Sequence, residues 1–429
     1  RGRVESDLMS QRSTLDLRPF RATHYATDRV GDLAAVTSLP YDMIDAETTR
    51  RLRSTPYNIA HLILPPDAAT AASAADRLRE WRASGVLITE PEPGFYVYEQ
   101  RRSADGAVLQ RGVLGALALR APDEGAVHPH EGVMAGPVAG RLALLRACQA
   151  NLEPLLLSYD GEDGDGRAII RHATERRPLV EAATADGVDH RVWPVTAPEE
   201  IATIRAELQR RQALICDGHH RYAAALGYQA EQHAVGHGAG PWDFVLALLV
   251  DENAHPMQVT AIHRVVERID LAGVRDRITV PAGETPRATS VVPEGFDVTP
   301  FGTNGRTALD AFERSDERAA ILATDGKQWM LIAAPRSTPL GRDPYDRTLL
   351  DEEILRTRLG IAEEQVRYVH GWDPAVHAAV HGDGVAFLLK PIPLSVVAER
   401  ARRGELMPRK STSFGPKART GLILRVFGD

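Results

Sequence analysis

Six consecutive residues carry the densest chemistry in the chain: Asp217-Gly218-His219-His220-Arg221-Tyr222. They follow the apolar run Leu214-Ile215-Cys216, which reads as a short buried strand, and they open a segment of helical composition, 221–233. A glycine at such a junction lets the chain reverse and enter a helix at once. The first amides of that helix have no partners within it and, with the helix dipole, favour an anion. Arg221, in the first turn, adds a permanent forked charge suited to phosphate. Asp217 is placed to cap the helix, or to hold a metal or a substrate hydroxyl. His219 and His220 suit hydrogen bonds to phosphate or proton transfer near neutral pH. The plain alternative is a capped helix with two polar histidines beside it. Two imidazoles and a guanidinium crowded behind a buried strand favour the anion site.

Other polar clusters offer partners for that turn. His128-Pro129-His130-Glu131 puts imidazole and carboxylate in a proline-bounded loop, as a base or metal ligand or simply as a solvated loop. Tyr41-Asp42 sits in a proline-led turn, where Asp is common for turn geometry alone. Asn58 and His61 flank a short extended run, and Arg141 and Arg146 share one helix, where surface arginines are the ordinary case. His263-Arg264 brings a second cation. Arg409-Lys410-Ser411-Thr412, with Lys417, forms a basic hydroxyl-rich loop that competes with a solvated terminus. No P-loop lysine signature, zinc helix, nucleophile elbow or Rossmann glycine fingerprint occurs. The glycine-rich loop 161–166 lacks the spaced carboxylates and closing Glu of a calcium site, so it reads as a turn.

The elements that must position these groups alternate strand and helix. Helices are expected over 68–84, 141–149 and 198–212, the last with carboxylates in its first turn and arginines in its last. Strands are expected over 95–100, 111–119, 155–159 and 422–427, the first two forming a hairpin around Ala104-Asp105-Gly106. The apolar run 244–250 suits a buried strand and is too short to span a bilayer. The Gly-, Pro- and Thr-rich stretch 272–307 suggests long loops or a lobe boundary.

Composition bounds the function. The chain has 429 residues, 43% hydrophobic and 25% charged, enough for two or three lobes of ordinary globular make-up. A net charge of -7 offers nothing to nucleic acid or to an anionic membrane. Two cysteines, Cys148 and Cys216, are too few for a disulfide framework and read as buried thiols. A cytoplasmic location is expected, with small-molecule rather than nucleic-acid or membrane partners and a homo-oligomer as an open possibility.

In order along the chain, Leu39-Pro40-Tyr41-Asp42, Pro56-Tyr57-Asn58, Phe95-Tyr96-Val97-Tyr98, His130-Glu131, Arg141-Leu142, Asn151-Leu152, the Asp217–Tyr222 turn, His263-Arg264 and Met407–Thr412 resemble domain-of-unknown-function family 1015 from about Leu17 to Val426. The sequence departs from the family pattern at Ala223-Ala224-Ala225, at Gly140 before Arg141, and at Ser413-Phe414-Gly415. The segment 198–233 alone also resembles the phosphate-binding motif of the ParB/sulfiredoxin superfamily, which includes ATP- or ADP-dependent free-serine kinases and CTP-binding switches. The resemblances imply an α/β fold of mixed α+β type, a ParB/sulfiredoxin-like core within a larger two-lobed mixed-sheet protein. The expected division is a disordered leader 1–13, a main lobe 14–270 and a second lobe 271–429.

The activity expected on this basis is nucleotide-dependent phosphoryl transfer to a small hydroxyl compound such as free serine. It would use ATP or ADP and Mg2+, and positioning and charge neutralisation would carry it. Gly218, His219, His220 and Arg221 would hold phosphates, with Arg141, Arg264 and Lys410 as secondary contacts. Asp42, His130, Glu131 and Asp217 are the candidate catalytic groups, and Glu131 the candidate metal ligand. A phosphatase of a small phosphoester and a non-catalytic nucleotide-binding switch are the alternatives.

Overall fold

The computed structural model describes residues 14–64, 70–280, 295–315, 320–334 and 346–429. The leader 1–13 and the centre of the loop-rich stretch, 281–294, lie outside the described residues.

Two compact units result. The first takes the described residues through Gln258 together with Ala398–Met407 and Pro416–Asp429; the second takes Val259–Val397 and Pro408–Gly415. The expected single cut at 270 therefore gives way to a chain that leaves the first unit and returns to it. The return is fixed by backbone pairing, since Arg425–Val426 lies antiparallel to Ala150–Asn151.

The first unit is built on a nine-stranded sheet. In chain order its strands are β1 Leu17–Arg18, β2 Phe95–Arg102, β3 Val108–Ala118, β4 Val127–His128, β5 Leu155–Tyr159, β6 Val180–Thr184, β7 Val188–Val195, β8 Ala213–Asp217 and β9 Phe244–Asp251. They lie in the order β4-β8-β5-β9-β3-β2-β7-β6, with β1 pairing β3. The sheet is mixed: β8 runs parallel to β4 and antiparallel to β5, and β9 runs parallel to β5. Every residue of β5 and β8 is buried, which explains their unbroken apolar runs where a half-exposed strand would alternate. Phe95, Val113, Leu155, Trp193, Ile215 and Leu249 share one core cluster. Truncating a side chain such as Ile215, which is fully buried, costs about 2–5 kcal/mol.

Five longer helices accompany the sheet: α1 Thr70–Ala83, α2 Ala135–Cys148, α3 Asp165–Ala173, α4 Pro198–Leu208 and α5 His219–Ala234. Helix α5 packs on α2, which also packs on α1, and α3 packs on α4. The α4 start has Pro198 at its first position and Glu199 and Glu200 in the first turn, as its sequence signals require. The hairpin expected around Asp105 is β2–β3. The β6–β7 hairpin, which ordinary loop-like composition conceals, extends the sheet at its far edge.

The second unit holds a seven-stranded sheet in the order 297–302, 329–333, 320–324, 385–388, 258–266, 366–370, with 412–415 also on 258–266. Both units mix helix and sheet, so the fold is of mixed α+β type. Among the described residues no helix is long and apolar enough to cross a membrane. Cys148 and Cys216 are both free and buried, and burial pushes the Cys148 thiol up to about 11 and the Cys216 thiol up to about 12.

Candidate functional site

Strand β8 ends at Asp217, and the chain turns through Gly218 directly into α5. Gly218 has φ 99° and ψ 24°, a left-handed conformation that a side chain disfavours. Space opposes one as well: a Cβ there would stand 2.7 Å from Leu155 Cδ2 and 3.2 Å from Arg221 Nε, so both side chains would have to shift. Glycine is therefore favoured on two counts, the backbone angle first. No side chain caps α5, so the dipole and first-turn amides at its start stay available to an anion.

Asp217 does not cap that helix, contrary to one expectation for it. Its Oδ1 accepts a hydrogen bond from Lys417 Nζ and its Oδ2 one from Arg221 Nη2. Burial alone would raise its carboxyl, but the charges of Lys417 and Arg221, the Lys417 hydrogen bond and His219 outweigh that and hold it well below the usual carboxylate range. A carboxylate so committed is a poor base and a strong anchor.

Arg221 is likewise turned inward. It is buried, donates from Nη1 to the Pro154 carbonyl and from Nη2 to Asp217, and keeps a buried Nε without a hydrogen-bond partner. Burial works against its charge, yet Asp217, Glu153, Asp42 and Tyr41 hold it firmly protonated. The sequence suggested a clamp reaching outward; the structure shows a guanidinium built into the floor, because β5 and β8 bring two acceptors to it.

The loop after β4 reaches the same place. The His130 amide donates to His219 Nε2 at 3.3 Å, and the two rings meet edge to face with centroids 4.4 Å apart. His219 must then carry its proton on Nδ1, which stands 3.7 Å from Glu131 Oε1. His130 Nδ1 lies 2.8 Å from the Ile215 carbonyl and donates to it. Burial foremost, then the charges of His130, Lys417 and His220, push His219 well below its ordinary value, with Asp217 opposing. Burial likewise brings His130 down to about 4. Both rings are neutral at physiological pH. His220 Nε2 accepts from the Met134 amide at 3.1 Å.

A third arm comes from Tyr41 and Asp42. The Tyr41 amide donates to Glu153 Oε1 at 3.0 Å, and the Arg141 guanidinium lies 4.1 Å from the centre of the Tyr41 ring. Arg141 donates to the Ile63 carbonyl and stands 3.6 Å from Glu153 Oε2. Burial first, and then Asp42, raises Tyr41 to about 12 against the opposing charges of Arg221 and Arg141. Asp42 is exposed and makes no hydrogen bond or ion pair among the described residues, although its charge is felt by Arg221. Arg141, Glu153 and Arg221 also line a pocket of about 50 Å3, room for a few waters and no more.

The structure thus brings Asp42, His130, Glu131, Arg141, Asp217, Gly218, His219, His220 and Arg221 into one neighbourhood of the first unit. Arg264 and Lys410 belong to the second unit. There Arg264 is fully buried, and its Nε and Nη2 each lie 2.9 Å from an Asp351 carboxylate oxygen, so its charge is already answered. Glu153, which carried no sequence signal, and Lys417, which read only as part of a basic tail, are the two groups added. Among the described residues no three His, Cys, Asp or Glu stand together as a metal cage. Mg2+ bound through phosphates needs only one or two carboxylates.

The first unit is therefore a mixed α/β fold in which a buried strand passes through a left-handed glycine into an uncapped helix, with buried charges locked beneath. The model of the family described as protein of unknown function (DUF1015) matches residues 17–352, and the chain belongs to that family. No curated protein matches it. Solved structures similar to it include a free serine kinase variant in complex with ADP, with TM-score 0.35 and 16% identity over 72% of this chain and 92% of that one. A C-terminally truncated SbnI from Staphylococcus aureus gives 0.37 and 12% over 73% and 87%. A conserved hypothetical protein from Pyrococcus furiosus gives 0.34 and 14% over 72% and 95%. At these scores the likeness carries no argument about the site.

Proposed function

We propose that the chain is a nucleotide-dependent phosphotransferase acting on a small hydroxyl compound, with free serine the first acceptor to try. One observation carries the reading: the uncapped start of α5 behind Gly218, flanked by neutral His219, by His220 and by the Lys417–Asp217–Arg221 lock. Helix-start amides with a positive dipole end suit the phosphates of ATP or ADP. The lock fixes Gly218 and the amides, so that little reorganisation accompanies transfer. Glu131 and Asp42 are the carboxylates that would hold Mg2+, which when bound would neutralise phosphate charge. Glu131, one-fifth exposed and beside His219 Nδ1, accepts the proton of the acceptor hydroxyl. The hydroxyl oxygen bonds to phosphorus as the bond to the nucleotide's bridging oxygen breaks, and the nucleotide leaves one phosphate shorter.

Incubation with Mg2+, serine and ATP or ADP tests this by phosphoserine formation, which Glu131→Gln should slow strongly. No phosphorylated product with either nucleotide would overturn it. Hydrolysis of phosphoserine without nucleotide would replace it by a phosphatase.

A further inference from the structure

A second charged cavity lies at the other end of the same strands. Pairing places Tyr159 of β5 opposite Ala213 and Leu156 opposite Asp217, so Tyr159 stands at the end of β8 remote from Gly218. Asp251, the last residue of β9, pairs with Tyr159. Around these two residues is a cavity of about 180 Å3, lined also by Arg111, Arg167, Arg171 and His255. It is more than three times the volume of the pocket beside Arg221.

Its charges do not cancel. Arg111 is answered by the buried Glu99. Arg167 is answered by Asp251, to which its Nε donates at 2.8 Å. Asp251 is in turn satisfied by the amides of Gly161 and Asn253. Arg171, at the exposed end of α3, has no carboxylate within ion-pair reach among the described residues. Arg167 Nη2 also stands 2.6 Å from Asp251 Oδ2. The half-buried His255 ring makes no hydrogen bond among the described residues. Arg171 therefore brings a charge that no carboxylate answers, and His255 a ring with a donor to spare, to a cavity that Arg167 also lines, and an anion there would meet both.

We propose that this cavity binds a small oxyanion, a carboxylate or a phosphate ester, between Arg167, Arg171 and His255. The site is separate from the Gly218 turn and does not depend on the function proposed for it. Tyr159, Ile170 and Leu249 give the cavity an apolar floor, so an organic anion fits better than a bare ion.

Crystals of the full chain soaked in selenate, a tetrahedral dianion located by its anomalous scattering, test the placement. The expected result is a peak between Arg167 and Arg171 that is absent in Arg171→Ala, whose exposed position leaves the fold intact. Calorimetric titration with malonate, and separately with inorganic phosphate, then distinguishes the two ligand chemistries. Arg171→Ala should weaken the better one about tenfold or more, and His255→Gln should weaken it less. A peak only at Gly218, or a cavity peak and affinities unchanged by Arg171→Ala, would overturn the proposal.

Discussion

Replacing Lys417 by Met removes one of the two cations on Asp217 while keeping most of the aliphatic stem. Both partners are withdrawn from water, Lys417 with 12% and Asp217 with 7% of the side chain exposed. Removing one member of a buried pair costs about 3–5 kcal/mol, and the low end applies because Arg221 still holds Oδ2. We expect a loss of about 3 kcal/mol at pH 7, read as a lower urea midpoint with unchanged slope for the transition of the first unit. The pH dependence has a definite sign. The Asp217 carboxyl is depressed in the folded state, so its stabilisation is complete above its ordinary value of 3.8 and is lost as pH falls toward the folded value. Without Lys417 that depression shrinks, and the gap between wild type and variant should narrow in acid. Adding Asp217→Asn should deepen the loss, since the buried Arg221 guanidinium then loses its carboxylate. A loss below about 0.5 kcal/mol at pH 7, the scale of an exposed pair, would refute the lock.

Other positions make independent predictions. Gly218→Ala should cost about 2–4 kcal/mol, from the left-handed backbone and the contact with Leu155 together, and should also weaken ADP binding; calorimetry and melting measure both. His130 should stay neutral through pH 6 in a ring-proton titration, because burial lowers it to about 4. The unfolded chain then binds the extra proton, so stability should fall as pH drops from 6.5 toward 4. Glu131→Gln, which removes both the base and a candidate Mg2+ ligand, should lower kcat by about a hundredfold or more and raise the Mg2+ concentration needed for activity, which initial-rate kinetics at varied Mg2+ reads directly.

The legible parts of the fold were those whose signals are local. Leu155–Tyr159 and the run 244–250 stood out because buried central strands are continuously apolar. The turn at Gly218 stood out because strand, glycine and helix follow one another within a few residues. Side-chain direction was not legible. Arg221 sits at a position where an arginine ordinarily faces solvent, and only the neighbouring strands, with Pro154 and Asp217, draw it inward. Lys417 lies 200 residues from Asp217, and no spacing rule connects a tail lysine to a mid-chain carboxylate. Glu153 is bonded by the Tyr41 amide 112 residues away and had no motif of its own. The lobe boundary was misplaced for a related reason: a chain that leaves a unit and returns shows no composition shift at either crossing.

Backbone amide resonances of His219, His220 and Arg221, followed while Mg2+ and ADP are added to the full chain, test the central claim most directly. We expect saturable shifts concentrated at the start of α5 and lost in Gly218→Ala. Nucleotide binding that leaves those three amides unmoved, or no binding at all, would contradict it.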